Sequence, residues 1–255
     1  MDGHDDGAGR WGSPGTGGPA VGETAQDLDL AFLDMTGTLF HDNGIVERAF
    51  ERTAAGLGVD PDSERFRRML EHLRSCPGQS RSGTLEQLFA AEPDRARRVV
   101  RDFERHLDDL LAAEGVCPVE GAEQAVAQLR EAGLRVCLAT GHNRHSMNTL
   151  LEQLGWTGLA DLSLCPSDAG RGRPWPDMVL TAVLALDLGD VRRVMVVGDT
   201  VADMQAGRRA GSAAVVGVRT GAHPAEALRA AGAHVVVDSV RDLPGLLRAP
   251  VALSR

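Results

Sequence analysis

Six short apolar runs alternate with segments of helical length from Leu28 onward, and this alternation constrains the fold more than any other feature of the sequence. The runs are nearly continuous in Val, Leu and Ala. Such runs are typical of strands buried on both faces, as in a parallel sheet with helices on either side. The predicted strands are LDLAFLD (28–34), LRVCLAT (134–140), DLSLCP (161–166), RVMVVGD (193–199), SAAVVGV (212–218) and AHVVVD (233–238). We therefore predict an α/β fold with a doubly wound, mainly parallel sheet.

The chain between the first two predicted strands is too long for a single crossover. Four stretches within it repeat apolar residues at helical spacing, namely IVERAFERTAAGLG, SERFRRMLEHLR, GTLEQLFAAE and PDRARRVVRDFERHLDDLLAAEG. We predict that residues 43–116 form a helical insertion and that residues 27–42 and 117–250 form the core. Residues 1–26 are rich in Gly and poor in apolar side chains, so we predict a disordered tail.

Composition and charge argue against several classes of partner. The 255 residues include 36 acidic and 27 scattered basic side chains, with a net charge of −9, which is unlike a nucleic-acid-binding surface. No apolar stretch is long enough to span a membrane, and the first residues lack the pattern of a secretion signal. The four cysteines show no paired spacing and indicate reduced thiols. We expect a cytoplasmic monomer or homodimer with a small-molecule ligand, and neither a nucleic-acid nor a membrane partner.

Three of the predicted strands end on reactive polar residues, which are Asp34, Thr140 and Asp199. Each has a local alternative, because Asp34 and Asp199 could form turns or helix caps and Thr140 could cap a helix. Ligands of open parallel sheets, however, bind at the carboxyl ends of the strands. We therefore predict that these three residues face one crevice, with the helical insertion above it.

Four short motifs support this interpretation: DMTGT (34–38), ATG (139–141), GRP (172–174) and VVGDTVADMQAG (196–207). Their order and spacing resemble the haloacid dehalogenase superfamily of hydrolases. The longer pieces DMTGTLFHDNGIVERAF, TGHNRHSMNTLLEQLGW, GRPWPDMV and GVRTGAHPAEAL resemble its phosphonatase-like branch. The resemblance extends from Leu28 to Leu247 and implies a Rossmann-like core with a small helical cap of the C1 type.

The resemblance also implies roles for the motif residues. Asp34 is expected to attack a phosphoryl group, which requires nearby positive charge because both reactants are anions. One Mg²⁺ is expected, with ligands or orienting groups from Asp34, the backbone carbonyl of Thr36, Asp199 and Asp203. Phosphate binding and charge neutralisation are expected from Gly37, Thr140, Gly141 and Arg173. Two alternatives stay open, in which Arg173 forms a surface ion pair and Asp203 is an exposed helix residue.

Thr36 departs from the phosphatases of this superfamily, which carry an aspartate two residues after the nucleophile. That aspartate protonates the leaving alcohol and later deprotonates water, and a threonine does neither at neutral pH. Loss of such general acid–base help costs about 10²–10⁴-fold in rate. His41 and Asp42 are candidates for a substitute acid. Thr36 also favours a competing hypothesis, in which the chain is a catalytically weak phosphate-binding or regulatory protein.

All 27 basic residues are arginines. The name-giving member of the phosphonatase-like branch forms an imine through a cap lysine, and in the similar stretch CPGQSRSGTLEQLF the matching residue is Arg81. A guanidinium stays protonated and cannot form that imine. We therefore predict an Mg²⁺-dependent phosphatase for a small metabolite such as a sugar or cyclitol phosphate. Arg81, expected to bind substrate, and Arg67, Arg68 and Arg74 in the insertion indicate a polar or anionic ligand.

Several further polar or aromatic residues lie beside the motifs. His142, Arg144 and His145 follow Thr140, and we interpret them as a solvated helix start, with substrate contact as the alternative. We interpret Trp175 as a packing residue.

Overall fold

The central sheet has six parallel strands in the order β5-β4-β1-β6-β7-β8. The computed structural model describes residues 28–75, 78 and 80–248, so the predicted disordered tail and Cys76 lie outside the described residues. In chain order the strands are β1 (Leu30–Asp34), β2 (Phe40–His41), β3 (Cys117–Pro118), β4 (Arg135–Ala139), β5 (Leu162–Leu164), β6 (Val194–Gly198), β7 (Ala214–Val218) and β8 (Val235–Val237). Each predicted apolar run contains one strand of this sheet, which confirms the predicted fold class.

Burial on both faces of the sheet explains why these runs are so apolar. Alternate side chains of a strand point to opposite faces. On β1, Ala31 and Leu33 belong to one core cluster, whereas Leu30 and Phe32 belong to another. Strands β4 and β6 divide their side chains between the same two clusters. A central strand of this sheet therefore has no solvent-facing side on which polar residues would be tolerated.

Helices cover both faces of the sheet and fill the segment between β2 and β3. They are α1 (Ile45–Gly56), α2 (Glu64–Ser75), α3 (Arg81–Leu88), α4 (Pro93–Glu114), α5 (Ala122–Glu131), α6 (Arg144–Gln153), α7 (Pro166–Ala169), α8 (Asp177–Ala185), α9 (Val201–Ala210), α10 (Ala225–Ala230) and α11 (Leu243–Arg248). Side chains of α5 and α6 join the first core cluster, and those of α8 join the second. No helix within the described ranges combines the length and apolar character needed to cross a membrane.

The helices α1 to α4 follow the four periodic stretches of the predicted insertion. The apolar stripe of α4, which includes Val99, Phe103 and Leu107, packs against α1. The connections into and out of this helical segment pair as a two-stranded antiparallel ribbon, with Phe40 opposite Pro118. Strands of two residues carry no periodicity, so the sequence did not predict this ribbon. The division into a core and a 43–116 cap domain stays a prediction.

Candidate active site

A cavity of about 410 Å³ lies where the sheet meets the helical segment. It is bounded by the loops that follow the parallel strands β1, β4, β6 and β7 and by residues of the helical segment. The described residues that line it are Asp34, Thr36, Gly37, His41, Asp42, Gly44, Val46, Glu47, Leu73, Arg74, Gly78, Arg81, Gly141, His142, Arg173, Asp199, Thr200, Thr220, Gly221 and Ala222. The cavity therefore occupies the carboxyl-end position at which open parallel sheets bind ligands.

Asp34 and Arg173 form a buried ion pair in this cavity. Arg173 Nη1 donates to Oδ1 of Asp34 and to Oδ1 of Asp203. Burial alone would lower the pKa of Arg173, but Asp203 and Asp34 outweigh it and raise that pKa, so the guanidinium stays charged. Its Nε and Nη2 atoms are buried without a hydrogen-bond partner among the described residues. The alternative of a surface ion pair is wrong for Arg173, and its two spare donors suit an anion.

Three buried carboxylates meet beside this ion pair. One oxygen from each of Asp34, Asp199 and Asp203 lies within 4.8 Å of the other two. Burial raises the pKa of Asp34, and the charges of Asp203 and Asp199 raise it further. Burial and the charge of Asp203 raise the pKa of Asp199 to about 6. A divalent cation would relieve this repulsion, and carboxylate oxygens are ligands that Mg²⁺ accepts, so the residues fit the predicted metal.

Asp203 has less freedom to bind a cation directly than the other two. Its side chain is only 1% exposed, so the alternative of an exposed helix residue is wrong. Oδ1 accepts from Arg173, and Oδ2 accepts from the backbone N–H of Thr200 at 3.0 Å and from the Thr200 hydroxyl. These bonds cap the N-terminus of α9. Because both oxygens have donors, Asp203 is suited to orienting Arg173 and the surroundings of a metal.

The loop after β7 closes tightly over Asp199. The backbone N–H of Ala222 donates to Asp199 Oδ2 at 2.7 Å, and the Thr220 hydroxyl donates to the Gly37 carbonyl at 2.7 Å. A Cβ at Gly37, whose φ is 83°, or at Gly221 would overlap the Asp199 carboxylate. Thr220, Gly221 and Ala222 were not predicted as site residues from the sequence. Their only signal was the piece GVRTGAHPAEAL, since they act through the backbone and through the absence of a side chain.

Thr36 contacts His142 across the cavity wall, with 3.4 Å between Thr36 Oγ1 and His142 Nε2. His142 is 5% exposed, so its interpretation as a solvated helix start is wrong. Burial, together with the charges of Arg81 and Arg173, lowers the pKa of His142 to about 3, which keeps the imidazole neutral. Its Nδ1 is buried without a partner among the residues that the structure describes.

The predicted residues that follow β4 differ in whether they line the cavity. Thr140 is buried and, unlike Gly141, is not among the residues that line the cavity, and its hydroxyl accepts from the backbone N–H of His142 at 3.2 Å. The helix-cap role that the sequence left open for Thr140 belongs instead to Asn143, whose side chain accepts from the backbone N–H of Ser146 at 2.8 Å. Arg144 bonds to the Ser163 hydroxyl and carbonyl at 3.1 and 3.0 Å, and His145 is exposed. Of His142, Arg144 and His145, only His142 lines the cavity.

The arginines of the helical segment also differ in position. Arg81 and Arg74 line the cavity. Arg67 and Arg68 are exposed beside Glu64 and are not among the lining residues, so their predicted link to the ligand is wrong.

Trp175 lies outside the cavity and is 46% exposed. The guanidinium carbons of Arg171 and Arg209 lie 4.4 and 5.1 Å from the centroid of its ring, so it packs against two cations at the surface.

Comparisons with known proteins identify the family of the chain. Residues 28–211 match the haloacid dehalogenase-like hydrolase family. The chain is 28% identical over 195 residues to a phosphonoacetaldehyde hydrolase from Bacillus cereus, covering 75% of this chain and 70% of that protein. A crystal structure of a phosphonoacetaldehyde hydrolase-like protein from Oleispira antarctica superposes with a TM-score of 0.73 at 22% identity, covering 89% and 94% of the two chains.

A second solved structure, a hydrolase of the same family from Deinococcus radiodurans with bound phosphate and sodium, is 26% identical with a TM-score of 0.61. It covers 87% of this chain and 98% of its own. The chain therefore belongs to the haloacid dehalogenase-like hydrolase family, and the resemblance stated from its motifs is confirmed.

Proposed function

We propose that the protein is an Mg²⁺-dependent phosphatase that hydrolyses a small phosphorylated metabolite through a phosphoaspartyl intermediate on Asp34. The observation that carries this proposal is the buried Asp34 carboxylate, which contacts a permanently charged Arg173 and lies within 4.8 Å of Asp199 in a ligand-sized cavity. A carboxylate held beside a cation in this way is equipped to attack another anion. The phosphate bound by the Deinococcus radiodurans relative adds support from outside the chain.

The proposed reaction has two displacements at phosphorus. In the first, an Asp34 oxygen attacks phosphorus, the bond from phosphorus to the ester oxygen breaks, and the departing alkoxide takes up a proton. In the second, a water molecule gives up a proton and attacks phosphorus, which breaks the bond to Asp34 and releases phosphate. Arg173 lowers the repulsion between the two anions in both steps. When bound at Asp34 and Asp199, Mg²⁺ supplies further neutralisation of charge.

Proton handling is the unusual part of this site. Thr36 does not titrate, and the imidazole that contacts it belongs to His142. A neutral imidazole has one N–H donor and one acceptor nitrogen, and only Nε2 of His142 is within reach of Thr36. His142 is therefore placed to orient a leaving-group oxygen or an attacking water. His41 and Asp42, the substitutes considered from sequence, also line the cavity.

A broad panel of phosphate esters assayed with Mg²⁺ tests the proposal. Turnover of a few related esters, lost on chelation of the metal, supports the phosphatase. The second candidate function is a phosphate-binding or regulatory protein with weak catalysis, which Thr36 favours. Binding of esters or inorganic phosphate without release of product would replace the first proposal with the second.

Phosphonoacetaldehyde should not be cleaved through an imine, although relatives of the chain carry the name of that hydrolase. The chain contains no lysine, and Arg81 cannot supply the amine. We expect no acetaldehyde after incubation and no added mass on the protein after borohydride reduction. A lysine-containing phosphonoacetaldehyde hydrolase in the same assay is the positive control. Acetaldehyde release, or a reduced adduct found by mass spectrometry, would refute this expectation.

A further inference from the structure

Among the residues that the structure describes, three guanidinium groups line the cavity, and they differ in their partners. Arg74 is held by Glu47 through two hydrogen bonds of 2.7 and 2.6 Å. Arg173 is held by Asp34 and Asp203. By contrast, within residues 28–75, 78 and 80–248 no carboxylate oxygen lies within 4.0 Å of the Arg81 guanidinium. In that part of the chain, Arg81 is thus the cavity-lining cation without an ion pair.

Arg81 reaches the cavity from the helical segment, whereas Asp34 ends β1 and Arg173 lies in the turn between α7 and α8. It is the first residue of α3, and its backbone N–H donates to the Gly141 carbonyl at 3.4 Å. Gly78 also lies close to the end of β6, because a Cβ at Gly78 would overlap the Thr200 side chain. A substrate whose phosphate lies at Asp34 would therefore present its remaining atoms to Arg81.

None of the described carboxylates is close enough to Arg81 to form an ion pair, so a bound anion would stabilise its charge. Burial lowers the pKa of Arg81, opposed by the more distant charges of Asp42 and Asp34, but a guanidinium remains protonated at neutral pH. A partly buried charge without a partner is costly. Hydroxyl groups of a sugar would bond to the guanidinium without balancing its charge. A carboxylate balances the charge and also matches the two parallel N–H donors of the fork.

We infer that the substrate is a phosphorylated carboxylic acid, with its phosphate at Asp34 and its carboxylate paired with Arg81. This inference rests on the proposed phosphatase function and narrows its substrate from phosphate esters in general to short phosphorylated hydroxy acids. A cavity of about 410 Å³ admits a chain of a few carbons between the two anionic groups.

The first test compares an acid with its amide, which keeps the shape and removes the charge. We expect wild-type kcat/KM in Mg²⁺ to be about 10- to 100-fold higher for phosphoglycolate than for phosphoglycolamide, as for other charge-assisted pairs. Arg81→Gln should bring this ratio close to one, and Arg81→Lys should keep part of it. Arg67→Gln is the matched control, because it removes the same charge from the exposed face of the helical segment and should keep the ratio.

A second measurement does not depend on turnover. Phosphonopropionate and its amide replace the ester oxygen by a methylene group, so the proposed P–O cleavage cannot consume them. By calorimetry with Mg²⁺, we expect the acid to bind wild-type protein about 10- to 100-fold more tightly than the amide. Arg81→Gln should remove that difference, and Arg67→Gln should not.

These two measurements separate the possible failures. If the acid binds preferentially through Arg81 but no ester is hydrolysed, the phosphatase proposal fails and the assignment of Arg81 stands. Equal binding of acid and amide by the wild-type protein overturns the inference, and this comparison needs no variant to fold. A preference that survives in folded Arg81→Gln also overturns it, because another cation would then hold the carboxylate.

Discussion

Asp34→Asn is expected to lower kcat by about 10⁴-fold or more for every ester that the wild-type protein hydrolyses. The amide keeps the size of the side chain but is a poor nucleophile, and it removes one carboxylate from the cluster with Asp199. Chelation of the metal should cause a loss that added Mg²⁺ reverses, because the remaining negative charge would repel the substrate. Steady-state assays with and without EDTA measure both effects.

Folding of the Asp34→Asn variant should survive the substitution. Burial and neighbouring charges raise the pKa of Asp34 in the folded state, so its ionised form destabilises the fold at pH values above the unfolded pKa. Asn removes that cost, while Arg173 keeps its contact with Asp203. In EDTA at neutral pH, we expect a melting temperature equal to or above that of the wild type. The loss of activity can then be assigned to chemistry and not to unfolding.

The covalent intermediate gives a more direct observation. After a short incubation with a good substrate and an acid quench, the peptide that contains Asp34 should carry one phosphoryl group by mass spectrometry. Asp94→Asn, which removes the same charge from the exposed surface of α4, should label and turn over like the wild type. Substantial turnover in Asp34→Asn, or in excess EDTA, would contradict the proposed mechanism.

The sequence predicted the sheet and its acidic site because each leaves a local signal. Continuous apolar runs require burial on both faces, and Asp34 and Asp199 directly follow two such runs. Strands β1 and β6 are neighbours in the sheet, so the ends of these runs meet at one edge. The six strands could therefore be predicted without knowing their order in the sheet.

Other parts of the site depend on contacts between distant segments. His142 stands at a helix start that would be solvated by itself, and it becomes buried as a lining residue of a cavity shared with the helical segment. The loop after β7 contributes the Thr220 hydroxyl, the close approach of Gly221 and the backbone N–H of Ala222. None of these contributions gives a distinctive pattern of residues in the sequence. Neither the burial of His142 nor the contacts of the loop after β7 can be predicted from periodicity or motif chemistry alone.

Thr36→Asp is expected to raise kcat for alkyl phosphates by about 10²-fold, the lower end of what general acid–base catalysis contributes. A carboxyl group at this position can protonate the departing alkoxide and deprotonate the water of the second step. The p-nitrophenyl ester should gain less in the first step, because p-nitrophenolate leaves without a proton. Comparing both esters in wild type and variant therefore tests proton transfer separately from charge or binding effects. Thr36→Asn is the matched control, with similar size and no titrating group.

Flat or lower turnover of alkyl phosphates in Thr36→Asp would have a different physical cause. Asp34, Asp199 and Asp203 already crowd this region, and a further carboxylate adds repulsion unless it carries a proton when the alcohol leaves. If His142, His41 or Asp42 already supplies the proton, that repulsion is the only effect, and turnover of alkyl phosphates stays flat or falls. We expect the gain, because threonine keeps the backbone and removes only the titrating group. Equal or lower alkyl phosphate turnover in a folded variant with unchanged Mg²⁺ affinity would assign the acid to one of those three residues.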